Sequence, residues 1–146
     1  MIKAEDLRIG DLVKISGDYS LKGTIGKVSD IDSNKQYKEK KGVVTLDPIE
    51  GDDWSWPVWC CNIEPIPIDC RVFTKNGWKE FSSNTNLTCF SKEDCKIYFV
   101  CDYKGVGYNK KRFFAVKGGT LLKRIRSVHE LQHMLKEFGE NANLKI

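Results

Sequence analysis

The hydrophobic pattern changes character along the chain. In Gly10-Asp11-Leu12-Val13-Lys14-Ile15 the apolar Val13 and Ile15 share one face and Lys14 takes the other, the period-two signature of a half-buried strand. Residues 24–31 place apolar side chains at Ile25, Val28 and Ile31. A β-bulge at Gly26 would repair that break in alternation and bend the strand. Val43-Val44-Thr45-Leu46 comes after a lysine-rich loop. An Asp-Pro turn then leads to Trp54-Ser55-Trp56-Pro57-Val58-Trp59, with Trp54, Trp56 and Val58 on one core-facing side and Trp59 on the other, partly exposed. Pro57 has no N–H to give a ladder, so this strand belongs at a sheet edge. Short strands at this spacing, with turn residues between them and no helical period, predict an SH3-like β-barrel. The segment Ile63-Glu64-Pro65-Ile66-Pro67-Ile68 closes it, because a Pro-x-Pro stretch cannot continue a central strand. The boundary falls there, with the barrel in residues 1–66 and an α+β domain in 67–146.

Residues 71–81 fit two templates. Asn76-Gly77 could be the two-residue turn of a hairpin. Alternatively, Asp69 caps a short helix, Ile68 staples onto Phe73, and Gly77 ends the helix in the left-handed conformation. Local rules leave the two balanced. Residues 87–91, 96–103, 112–116 and 121–125 read as strands, with Tyr98, Val100, Phe113 and Phe114 supplying strand-favouring bulk. At Ser127 the period shifts, and Val128, Leu131, Leu135 and Phe138 form the apolar stripe of a helix that Gly139 ends. The expected fold class is α+β, mainly β: an N-terminal SH3-like β-barrel followed by a small antiparallel sheet packed by a C-terminal helix.

The composition of 40% hydrophobic and 30% charged residues is that of an ordinary globular chain. No apolar run approaches the ~18 residues of a membrane helix, and the N-terminus lacks a signal-peptide stretch. A cytoplasmic location without membrane association is expected. Cys60, Cys61, Cys70, Cys89, Cys95 and Cys101 are then free thiols. None forms the C-x2-C pairs of a structural zinc site, and Cys89, Cys95 and Cys101, six apart and so of one parity, read as small buried apolar residues. Neither a metal nor any other cofactor is expected. The net charge of +4 permits attraction to nucleic acid without demanding it. Lysines gather at 35, 38, 40 and 41, at 110 and 111 beside Arg112, and at 123 beside Arg124 and Arg126, where solvated loops account for them.

His129-Glu130-Leu131-Gln132-His133 matches the H-E-x-x-H pattern, in which two histidines one helical turn apart bind zinc and the glutamate activates water. A catalytic zinc also needs a third protein ligand. The extended pattern asks for Gly where Lys136 stands and for a later His, and this chain has neither. Glu137 and Glu140 lie on or just past the same helix, a poor geometry for closing a tetrahedral site. Glu130 has a structural use as well, because Ser127 and Glu130 form a capping box. Nothing resembles a Ser-His-Asp arrangement, a phosphate loop or a paired-carboxylate site.

Gly10-Asp11, Val13, Ile15, Gly17, Gly23, Gly26, Val28 and Ile31 resemble the KOW motif of ribosomal and transcription-elongation proteins. That resemblance implies RNA or protein contact through the barrel loops, with Lys14, Lys22 and Lys27 meeting phosphates. Any SH3-like barrel asks for the same glycines and strands, however, and such barrels more often bind proteins. Trp59 is the aromatic available as a partner anchor.

Asp6-Leu7-Arg8-Ile9-Gly10-Asp11, Ile63-Glu64-Pro65-Ile66-Pro67-Ile68, Asn76-Gly77-Trp78 and Val128-His129-Glu130-Leu131-Gln132 stand in the order R-I-G-N/D, I-E-P-I-P-L, N-G-F and V-H-x-L-Q. In this the chain resembles a large group of small uncharacterised proteins encoded by phages and mobile elements of gut anaerobic bacteria. The resemblance implies the helix rather than the hairpin at residues 69–76, and it brings no activity. His133 departs from the pattern, as do the cysteines and Trp54, Trp56 and Trp59. The functional expectation is a non-enzymatic accessory module that binds a protein partner. Weak RNA or DNA binding through the KOW-like barrel is the alternative. A zinc hydrolase using His129 and His133 with Glu130 as base is the distant third.

Overall fold

Strand β1 (Leu12–Ile15) turns Val13 and Ile15 into the interior, as their spacing requires. Around it β2 (Ile25–Tyr37), β3 (Lys40–Pro48), β4 (Trp56–Trp59) and β5 (Ile63–Pro65) form an antiparallel sheet in the order β4-β3-β2-β1-β5. A one-turn 3-10 helix, Cys60–Asn62, leads into β5. The ladder does not close on itself, so β4 and β5 are its edges. Pro57 stands on the edge strand β4, paired only with Thr45 of β3. The computed structural model describes residues 2–17, 20–50, 55–84, 86–103 and 111–146; the expectations for Trp54 and Lys110 fall outside them.

Two expectations for this sheet are corrected. Gly26 is in regular register opposite Pro48, and the irregularity comes at Ser29, between Val28↔Leu46 and Asp30↔Thr45. The extra residue turns Ile31 back toward the side of Gly26 and Val28, and Ser29 bonds Asp47 Oδ1 at 2.9 Å. Gly26 answers a different need, since a Cβ there would lie 2.9 Å from Leu46 Cβ. Trp56 shares a row with buried Leu46 but is 43% exposed. It is the first residue of an edge strand, which neighbours flank on one side only.

The interior of this sheet is aliphatic: Val13, Ile15, Val28, Val44, Leu46, Val58 and Ile63. Each such burial is worth about 1.5–3 kcal/mol.

In the second half, α1 (Cys70–Lys75) forms because Asp69 accepts the N–H groups of Arg71 and Val72 at 2.8 and 3.3 Å. Gly77 ends it at φ 79°, so residues 69–76 are helical and not a hairpin. A strand the pattern had not separated, β6 (Lys79–Asn84), follows. The strands β7 (Leu87–Ser91), β8 (Tyr98–Asp102), β9 (Arg112–Lys117) and β10 (Thr120–Ile125) add to it in the order β10-β9-β8-β7-β6, all antiparallel. Helix α2 (Val128–Glu137) has Ser127 as its cap, and Gly139 at φ 73° follows its end. Glu130 caps one residue further back than a capping box does, accepting the N–H of Arg126 at 2.7 Å.

Phe73 of α1 lies over the sheet, its ring 4.6 Å from Phe90, 5.0 Å from Phe99 and 5.5 Å from Phe113. The chain is fastened to itself at two distant points. Pro67 bridges to Ser127, and Asn76 exchanges two hydrogen bonds of 2.8 Å with the backbone of Lys145. The molecule divides into two compact units, Met1–Ile66 and Pro67–Ile146. No helix among the described residues is long and apolar enough to cross a membrane.

Candidate functional site

The three lysines of the KOW-like reading do not make a basic surface. Lys14 is half-buried, with Nζ 2.8 Å from Glu64 Oε1 on the neighbouring strand. Lys27 is exposed but stands opposite Asp47 of β3, and Lys22 is exposed in the turn between β1 and β2. Lys14 and Lys27 therefore each face an acid across the ladder. Trp59 is half-buried at the end of β4, opposite buried Val43.

The lysines of residues 35–41 sit on a hairpin rather than in a loop. There Tyr37 pairs with Lys40 and Gln36 with Lys41, and Lys38 takes a left-handed φ of 53° in the turn. Every residue from 32 to 41 is exposed. Lys38 Nζ lies 5.5 Å from the Tyr37 ring centroid, so an aromatic face and four ammonium groups share one projecting tip.

On α2, His129 is buried with Nδ1 3.1 Å from Ser127 Oγ, and His133 is half-buried with its ring 5.9 Å from that of His129. Glu130 is engaged by the Arg126 backbone. No group of three or more His, Cys, Asp or Glu side chains among the described residues is arranged to hold a metal ion. His129 and Glu130 are thus engaged at the start of the helix, and His133 stands one turn further on.

A cavity of about 500 Å³ in the first unit is walled by Ile2, Ala4, Gly42 and Cys60. Charges of both signs, Lys3 with Glu5 and Lys41 with Glu39, stand at its lining. It therefore selects for neither anions nor cations.

The strongest surface lies on the second sheet. Register places Phe81, Cys89, Val100, Phe114 and Arg124 in one row across all five strands. A second row runs Tyr98, Val116, Leu121, and a third Leu87, Asp102, Arg112. By alternation these residues point away from the side that Phe73 covers. Phe81 is 49% and Leu121 60% exposed, while Tyr98, Val100, Phe114 and Leu87 are half-buried. Arg112 Nη2 lies 3.8 Å from Asp102 Oδ2, and Arg124 and Lys79 stand at opposite ends of the face.

Charge singles out the same unit. Residues 1–66 hold nine Lys and Arg against twelve Asp and Glu, a net of −3, whereas residues 67–146 hold fifteen against eight, a net of +7. The modest total conceals this division. Both signals were present in the sequence: Tyr98-Phe99-Val100-Cys101 and Phe113-Phe114-Ala115-Val116 are apolar at consecutive positions, the mark of strands with two apolar faces. No protein-family model, curated protein or solved structure matches the chain.

Proposed function

We propose that the protein is a non-enzymatic binding module that docks an anionic protein partner on the outward face of the second sheet. The observation that carries this reading is the row Phe81, Cys89, Val100, Phe114, Arg124: exposed Phe81 and half-buried Val100 and Phe114, with buried Cys89 between them, ending on a cation in a unit of net charge +7. Apolar anchors ringed by arginine are the composition of binding hot spots. The first unit is the scaffold of this proposal. Its strand order β4-β3-β2-β1-β5, with a 3-10 turn before β5, supports an SH3-like reading. The motif order R-I-G-D, I-E-P-I-P-I, N-G-W and V-H-E-L-Q supports an accessory role for a phage or mobile element, in the cytoplasm.

The test is a photo-reactive phenylalanine analogue placed at position 114 of the full chain, in the cells that make it. It should cross-link to one protein. Binding of that purified partner should weaken about 30-fold with Phe114→Asp or Arg124→Glu and be unchanged by Lys75→Glu, on α1. Adducts to nucleic acid alone, or a partner indifferent to both substitutions, would overturn the proposal.

A second reading, binding of RNA or DNA, rests on the hairpin tip, where Tyr37 is 60% exposed among Lys35, Lys38, Lys40 and Lys41. Fluorescence anisotropy with generic oligonucleotides at two salt concentrations decides it. Micromolar binding that weakens with salt supports this reading, and no binding at low salt removes it.

A further inference from the structure

Two of the six cysteines share a site with an amine and a phenol. Cys70 is the first residue of α1, half-buried; Cys101 is on β8, fully buried. Lys111 Nζ lies 3.7 Å from Cys70 Sγ, and Tyr103 Oη lies 3.8 Å from the same sulfur. Thr88 Oγ1 stands 3.4 Å from Tyr103 Oη, which holds the phenol in place, and Lys111 Nζ sits 5.7 Å from the Tyr103 ring centroid. Cys101 stands opposite Thr88 in the ladder and two residues before Tyr103, on the same side of β8, with Cys70 among the groups that raise its thiol pKa. The other cysteines are placed differently: Cys60 is buried beside Cys61, Cys89 is buried, Cys61 bonds its neighbour Asn62, and Cys95 sits in the turn after Lys92 with Glu140 near.

We propose that Cys70 and Cys101 form a peroxide-reactive thiol pair, with Cys70 attacking the oxidant and Cys101 resolving the product into an intramolecular disulfide. Lys111 Nζ, 3.7 Å from Cys70 Sγ, sets an ammonium group beside the sulfur that attacks. That sulfur attacks one oxygen of hydrogen peroxide, the S–O bond forms as the O–O bond breaks, and the hydroxide that leaves is protonated to water. Cys70 is then a sulfenic acid. The Cys101 sulfur attacks it, the S–O bond breaks, and the departing hydroxide takes the Cys101 proton as a second water. Two thiols are oxidised and one peroxide is reduced. The roles follow from access, since Cys70 reaches solvent beside the exposed Lys111 and Tyr103 while Cys101 does not. Burial pushes the Cys101 thiol up to about 12, with the neighbouring Cys70 adding to the effect, so Cys101 is the less nucleophilic of the two toward peroxide.

The experiment treats the reduced full-length chain with hydrogen peroxide, blocks remaining thiols with a maleimide and maps the peptides without reductant. A Cys70–Cys101 cross-linked peptide is expected, with labelled thiols falling from six to four. Cys70→Ser should keep the other five thiols reduced over the same time. Cys101→Ala should leave a sulfenic acid at Cys70 that dimedone traps, and Lys111→Ala should slow Cys70 oxidation about 3- to 10-fold. The wild-type map decides by itself should Cys101→Ala fail to fold. Cys70 oxidising no faster than Cys61 or Cys95 in the same sample, or a disulfide joining any other pair, would overturn the proposal.

Discussion

The two units each cover one face of a five-stranded antiparallel sheet, and they do it with different chemistry. The first packs Val, Ile and Leu of its strands together with Ile2 and Leu7 from the N-terminal segment, with no aromatic ring in the cluster. The second sets Phe73 from a helix among Phe90, Phe99 and Phe113, with Trp78 edge-on to Phe73 at 6.2 Å. An aliphatic interior spreads its stabilisation over many small contributions that strand alternation supplies by itself. An aromatic interior concentrates it in one side chain that several others touch, and that side chain must be brought by an element outside the sheet. The helix therefore carries the centre of the second unit's core, whereas in the first the element outside the sheet, the N-terminal segment, adds Ile2 and Leu7 to a core built by strands.

The sharpest way to break this comparison is Phe73→Ala. Removing the ring that four others touch should cost about 3–5 kcal/mol, measured by urea unfolding followed through far-UV circular dichroism. A loss under about 1 kcal/mol would show the aromatic cluster to be redundant. In the first unit the weak point is a place where nothing fits rather than a large side chain. Gly26→Ala should cost about 1–3 kcal/mol by forcing its Cβ onto the Cβ of Leu46, measured by the same urea unfolding, and an unchanged midpoint would show that the two strands separate there without cost.

The smallest effect tests whether α1 depends on its cap. Burial opposes ionisation of Asp69, but the Arg71 guanidinium and the N–H groups of Arg71 and Val72 outweigh it and hold the carboxyl below its usual value. A lowered pKa in the folded state stabilises above the unfolded value near 4 and is lost as pH falls through the folded one. Asp69→Ala should cost about 1 kcal/mol at pH 7, and the gap from the natural chain should shrink as pH falls below about 4. A gap that stays constant down to pH ~2 would mean that capping works through packing alone.

Elements governed by local chemistry could be read from the sequence. Ser127 and Gly139 bracket α2, Pro57 marks an edge, and Val13 and Ile15 choose a face. What could not be read depended on neighbours distant in sequence. The bulge lies at Ser29 because β3 supplies Asp47 for its hydroxyl, and Gly26 is a glycine because Leu46 arrives from another strand. Trp56 has the parity of a core residue, but its exposure is set by its position on the outermost strand. The candidate docking face was missed for a related reason. Two-sided apolar strands look alike whether helices cover both faces or one, and the basic charge of residues 67–146 was cancelled in the total by the acidic first unit.

The bonds between Asn76 and Lys145, and the bridge from Pro67 to Ser127, set an order of events during synthesis. All five strands of the first unit have been translated by Pro65, so it can fold while the rest of the chain is still being made. The second unit is joined start to end, and α1 cannot gain its last partners until Lys145 has left the ribosome. Until then those closing bonds are unmade, a long-range closure of the kind that slows folding. The aromatic half is thus the one whose nascent chain needs protection.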